Sequence, residues 1–107
     1  MNLYCIGNKT PDKELMNILA KGENIRIERI VSSGEVSPDG FWYDQEEDEA
    51  VFLIRGSAVL QFEEGSTPLK EGDWIIIPGH KRHRVTYTSS NPPAVWLCIF
   101  GKDIIKA

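Results

Sequence analysis

From Asn24 onward the chain is a succession of short apolar-rich pieces separated by turn formers. The pieces are NIRIERIV (24–31), EAVFLIR (49–55), SAVLQFE (57–63), DWIIIP (73–78), HRVTYT (83–88) and AVWLCIF (94–100). Ser32-Ser33-Gly34, Pro38-Asp39-Gly40, Gly56, Glu64-Gly65-Ser66, Gly72, Pro78-Gly79 and Asn91-Pro92-Pro93 punctuate them. Each piece has strand length, and many evenly spaced strands predict an antiparallel barrel or sandwich. In 83–88, period 2 puts His83, Val85 and Tyr87 on one face and Arg84, Thr86 and Thr88 on the other. In 49–55, Glu49, Val51 and Leu53 share a face, but Ala50, Phe52 and Ile54 opposite are also apolar. A strand apolar on both sides needs cover on both, from a second sheet and from a helix or partner chain. A homodimer is expected on this ground.

The first 25 residues read differently. Residues 2–6 look like a short strand. Thr10-Pro11 offers an N-cap and a proline at the first helical position, Leu15, Met16, Ile18 and Leu19 fall at helical spacing, and Gly22 can terminate. The prediction is one domain over 1–107, with a strand and helix cover at 1–25 on a β core at 26–100.

Composition narrows the partners. The 107 residues carry 12 basic and 16 acidic side chains, a net charge of −4, which argues against nucleic acid or an anionic membrane as a partner. No apolar run reaches the ~18–20 residues of a membrane span, and Met1 to Thr10 lacks the layout of a secretory signal. Cys5 and Cys98 sit in apolar runs as expected free, buried thiols, so a cytoplasmic location is expected. Phe41, Trp42, Trp74 and Trp96 are expected to pack in core or interface. Only two histidines are present, too few for one chain to supply a three-histidine metal site.

Both histidines lie in Pro78-Gly79-His80-Lys81-Arg82-His83-Arg84. The segment reads as a polar hairpin turn, as an anion clamp built from Lys81, Arg82 and Arg84, or as a metal site with His83 pointing inward. In the acidic run 45–49, Glu46 and Glu47 read as solvated loop. Glu49 opens the most apolar strand, and a carboxylate facing a barrel interior requires a cation, a proton or an ion-pair partner.

These residues resemble the cupins. Glu49, six residues and Gly56 match the end of the first cupin motif; Gly72, five residues, Pro78 and His83 five places later match the second. The 15 residues between Gly56 and Gly72 are similar to the spacer of small single-domain cupins. The resemblance covers roughly residues 26–100 and implies an all-β jelly-roll barrel. It also implies a divalent metal (Fe, Mn, Ni or Zn) at the barrel mouth, with His83 and Glu49 among its ligands. The first motif departs from the family, for its HxH pair is absent. Strand parity with Glu49 places Tyr43 and Gln45 at those positions, whereas ligand chemistry favours Asp44. His80 stands where glycine is common and is a further ligand candidate; Tyr87 stands where asparagine usually closes the motif. The resulting metal set is His83, Glu49, Asp44 and His80, with Glu49 as ligand or base and Tyr43 and Tyr87 orienting a small-molecule substrate. Two other classes compete: a metal-free small-molecule binder or sensor holding a Glu49–His83 pair, and a structural module with a filled barrel.

Overall fold

The computed structural model describes residues 1–7, 9 and 13–104. Among the described residues, eight strands form two antiparallel sheets that face each other as a jelly-roll barrel: β1 (Leu15–Lys21), β2 (Ile25–Ser32), β3 (Asp48–Arg55), β4 (Ser57–Phe62), β5 (Gly65–Lys70), β6 (Trp74–Ile77), β7 (His83–Thr88) and β8 (Ala94–Gly101). The larger sheet has the order β1-β2-β8-β3-β6 and the smaller β5-β4-β7. Inward positions of β3, β4, β6 and β8 build the core, with Leu53 fully buried and Val51, Ala58, Leu60, Phe62, Ile77 and Trp96 nearly so. Complete burial of one such aliphatic side chain contributes about 1.5–3 kcal/mol.

The motif glycines have physical reasons. Gly56 joins β3 to β4 at φ +80°, and a Cβ there would lie 2.6 Å from Ser89 Oγ and 2.7 Å from the Pro93 carbonyl oxygen. Gly72 precedes β6 at φ +93°, where L side chains are strained. The structure therefore confirms the predicted all-β barrel and six of its strands, to within a residue or two.

Two strands were not expected. β5 is polar and contains Pro68, which ordinarily argues against a strand; it is tolerated because β5 is an edge, pairing only with β4. The predicted helix through Leu15, Met16, Ile18 and Leu19 is instead β1, an edge strand of the larger sheet, paired with β2. Its register shifts between Ile18 and Ala20, so the residue between them is extra. That bulge breaks strict alternation and imitates helical spacing. Gly22 does end the element, but as a hairpin turn in which its N–H donates to the Ile25 carbonyl at 2.8 Å. The Thr10-Pro11 cap lies outside the described residues.

The predicted strand at 2–6 is a turn, closed by the Cys5 N–H on the Asn2 carbonyl at 3.2 Å. Cys5 is exposed, not buried; Cys98 is buried. The carbonyls of Leu3 and Cys5 accept from the Arg29 guanidinium at 3.0 and 2.7 Å, so this turn covers part of the larger sheet's outer face. Further along that face the Phe52 and Trp74 rings stack at 6.3 Å, with Trp74 exposed. Phe41 is also exposed, whereas Trp96 is a core residue as expected. The guanidinium groups of Arg82 and Arg84 lie 5.2 and 5.9 Å from the centre of the Trp42 ring. Among the described residues no helix is long and apolar enough to cross a membrane.

Candidate ligand pocket

Between the two sheets lies a cavity of about 400 Å³, within the size range of small-molecule sites. Strand parity dictates what faces it. On β3, Glu49 shares the inward face of Val51. On β7, His83 and Val85 face in, but pairing with β4 slips between Val59 and Leu60. The slip leaves Thr86 as the extra residue and reverses the facing of the residues after it. Tyr87 consequently pairs with Val59 and lies half-exposed, away from the cavity. Its expected substrate-orienting role is thereby withdrawn.

The unsettled choice in the first motif resolves in favour of parity. Tyr43 pairs with His83 through two backbone hydrogen bonds, its N–H donating at 2.7 Å and its carbonyl accepting at 3.2 Å. This brings the Tyr43 and Gln45 side chains to the cavity wall. The Tyr43 ring stacks on His83 at 5.3 Å, and the Gln45 amide donates to Glu49 Oε1 at 3.2 Å. Asp44, between them, points away and meets His80 Nδ1 at 2.9 Å, both side chains exposed. His80 adopts φ 64° at its turn, and its N–H donates to the Gln45 carbonyl at 2.6 Å. The Asp44–His80 pair thus clasps the loop carrying Tyr43 and Gln45 to the second motif from outside.

The four metal candidates therefore separate into two pairs, one inside and one outside. Among the described residues no group of three or more His, Cys, Asp and Glu side chains is disposed to hold a metal ion. Inside, His83 Nε2 lies 3.6 Å from Glu49 Oε1, and the positions of the missing histidines hold a phenol and a carboxamide. This donor set does not fit a resident divalent ion, because two strong ligands face each other and the remaining donors are weak.

It does fit a buried ion pair. His83 Nδ1 lies 2.9 Å from the Lys81 carbonyl, which can only accept, so the proton sits on Nδ1. Glu49 on the other side favours a second proton on Nε2. Burial opposes the imidazolium, but Glu49 and the Lys81 carbonyl outweigh it and hold the His83 pKa above its ordinary value. The Tyr43 phenol is also raised, by burial first and then by the nearby carboxylates of Glu14 and Glu49, so it stays protonated. The Cys98 thiol is pushed well up by burial and by Glu49, and is no nucleophile near neutral pH.

Several pocket residues were not anticipated. On β2, Arg26 and Glu28 point inward beside Ile30; the Arg26 guanidinium hydrogen-bonds Glu28, reaches Glu47 at 3.0 Å and covers the Phe100 ring at 4.3 Å. Glu14, ahead of β1, reaches the rim and accepts from Ser32 Oγ at 2.7 Å. The alternation in 24–31 carried a signal for β2, since Arg26, Glu28 and Ile30 share parity. No comparable signal marked Glu14.

A jelly-roll barrel with a mouth-facing Glu–His pair defines a class, and comparison with known proteins agrees. The chain belongs to the cupin domain family, whose profile matches residues 28–100. Among solved structures it is similar to a candidate mannose-6-phosphate isomerase from Ralstonia eutropha JMP134. The two share 36% identity and a TM-score of 0.89, over 95% of this chain and 96% of that one. A cupin superfamily protein from Desulfitobacterium hafniense DCB-2 matches at 21% identity and TM-score 0.77, over 90% and 84% of the two chains. KdgF from Halomonas sp. matches at 18% and 0.71, over 88% and 83%. These last two speak to the fold alone. No curated protein matches the chain.

Proposed function

We propose that the chain is a small-molecule-binding cupin whose barrel cavity works without a resident metal, with the Glu49–His83 pair as its proton-exchanging group. The observation that carries this reading is the convergence of Glu49, His83, Gln45 and Tyr43 in one part of a cavity whose remaining lining is apolar apart from Glu14, Arg26 and Glu28. Few convergent polar groups in an apolar pocket are what orient a ligand. The pair sets a buried imidazole 3.6 Å from a carboxylate, which suits general acid–base chemistry on a bound carbonyl or hydroxyl compound. The similarity to a candidate mannose-6-phosphate isomerase supports a sugar-like ligand and an isomerisation-type proton transfer.

The exposed Trp74, stacked on the part-buried Phe52, supports a homodimer, and free thiols at Cys5 and Cys98 support a cytoplasmic location. The competing reading is a divalent metal, Fe, Mn, Ni or Zn, held by His83 and Glu49. A thermal-shift screen of sugars and polyols with and without chelator separates the two. Metal-free binding predicts stabilisation that survives chelator and disappears in Glu49→Gln and His83→Ala. Stabilisation abolished by chelator and restored by one divalent ion would replace it.

A further inference from the structure

We propose that the cavity selects an uncharged, hydroxyl-rich ligand and discriminates against phosphorylated or carboxylated ones. The inference rests on the cavity being the ligand site and specifies what it accepts. Three carboxylates contribute to its lining, Glu14 at the rim and Glu28 and Glu49 inside. Among the described residues the cationic lining groups are Arg26 and His83, and both are engaged. Arg26 is divided between Glu28 and Glu47 and lies over the Phe100 ring. His83 faces Glu49 and spends its other N–H on the Lys81 carbonyl.

Among the described lining residues an entering phosphate would therefore meet no uncommitted cation, and it would pass the Glu14 carboxylate at the rim. The basic turn offers no substitute. Lys81 and Arg82 contact Glu64 and Glu63, and Arg84 is spent on Phe41, Ser37 and Pro38 carbonyls and on Gln61. Ionised carboxylates only accept hydrogen bonds, so a wall of this composition requires a ligand that donates. Two of the three carboxylates are already neutralised, which removes the demand for a cationic ligand inside. A neutral polyol meets both conditions, with hydroxyls donating to Glu49 and C–H faces on Trp96 and Val51.

The test compares D-glucose, D-mannose and D-mannitol with glucose 6-phosphate and mannose 6-phosphate, using NMR shifts of His83 and Cys98 to locate binding. The expected result is pocket shifts with at least one neutral probe and affinity at least ~10-fold weaker, about 1.4 kcal/mol, for the matching phosphate. Glu14→Gln, an exposed and conservative change, should reduce that ratio, and so should added salt. A phosphate binding in the pocket as tightly as its neutral parent overturns the selectivity while leaving the cavity as the ligand site. Probes that shift only residues outside the cavity overturn both. Silence from every hydroxylated probe at high millimolar concentration overturns the polyol assignment.

Discussion

Replacing Glu49 by glutamine keeps the shape of the side chain and removes its charge, so it isolates the interaction on which the pocket is built. Two unit charges 3.6 Å apart attract by roughly 5 kcal/mol at an effective dielectric near 20. Desolvation of two nearly buried groups offsets much of that attraction, leaving a net coupling on the order of 1–3 kcal/mol. The coupling exists only while His83 is protonated. Its folded-state pKa is raised, so the stabilisation is fully present below the unfolded value of about 6.5 and is lost as pH rises through the higher folded value. Urea unfolding at pH 5.5 and at pH 9 should show Glu49→Gln losing ~1–3 kcal/mol at the lower pH and far less at the higher. NMR titration should find the His83 midpoint lowered by the substitution. Equal losses at both pH values, with an unmoved His83 midpoint, would refute the ion-pair account.

Leu53→Ala should cost ~2–5 kcal/mol in denaturant unfolding, because Leu53 is fully buried in the barrel core. Gly56→Ala should destabilise by more than about 2 kcal/mol, since the added methyl meets Ser89, Pro93 and Ala94 at a positive φ; a change near zero would contradict the packing at that corner. Asp44→Ala should alter stability by less than about 1 kcal/mol, as its pair with His80 is exposed on both sides. Tyr87→Phe should leave ligand affinity unchanged, because the β7 bulge turns Tyr87 away from the cavity. Isothermal titration of the Tyr87 variant checks the last of these.

The barrel was legible because its turns are chemically specified. Gly56 and Gly72 occupy positive-φ corners that punctuate the chain as clearly as the apolar runs between them. Glu49 and His83 were legible for a related reason. Glu49 is the second residue of β3 and His83 the first of β7, so parity fixes the face of each from the strand's start, and both reach the cavity. Parity also pointed to Tyr43 and Gln45, against the ligand chemistry that favoured Asp44.

Bulges defeated the same reasoning elsewhere. One extra residue in β1 imitates a helix, and one in β7 turns Tyr87 outward. Neither carries a glycine or proline to announce it. Glu14 was invisible because its place at the rim depends on long-range pairing of an edge strand with β2. Arg26 and Glu28 had the right parity, but paired charges on one face read equally well as a solvated surface.

Metal content of the native protein, purified without chelator, bears most directly on the central claim that this cupin pocket is organised by an ion pair. The account predicts far less than one divalent ion per chain, with the residual amount unchanged in Glu49→Gln and His83→Ala. One equivalent of a single ion, lost in both variants, would contradict it.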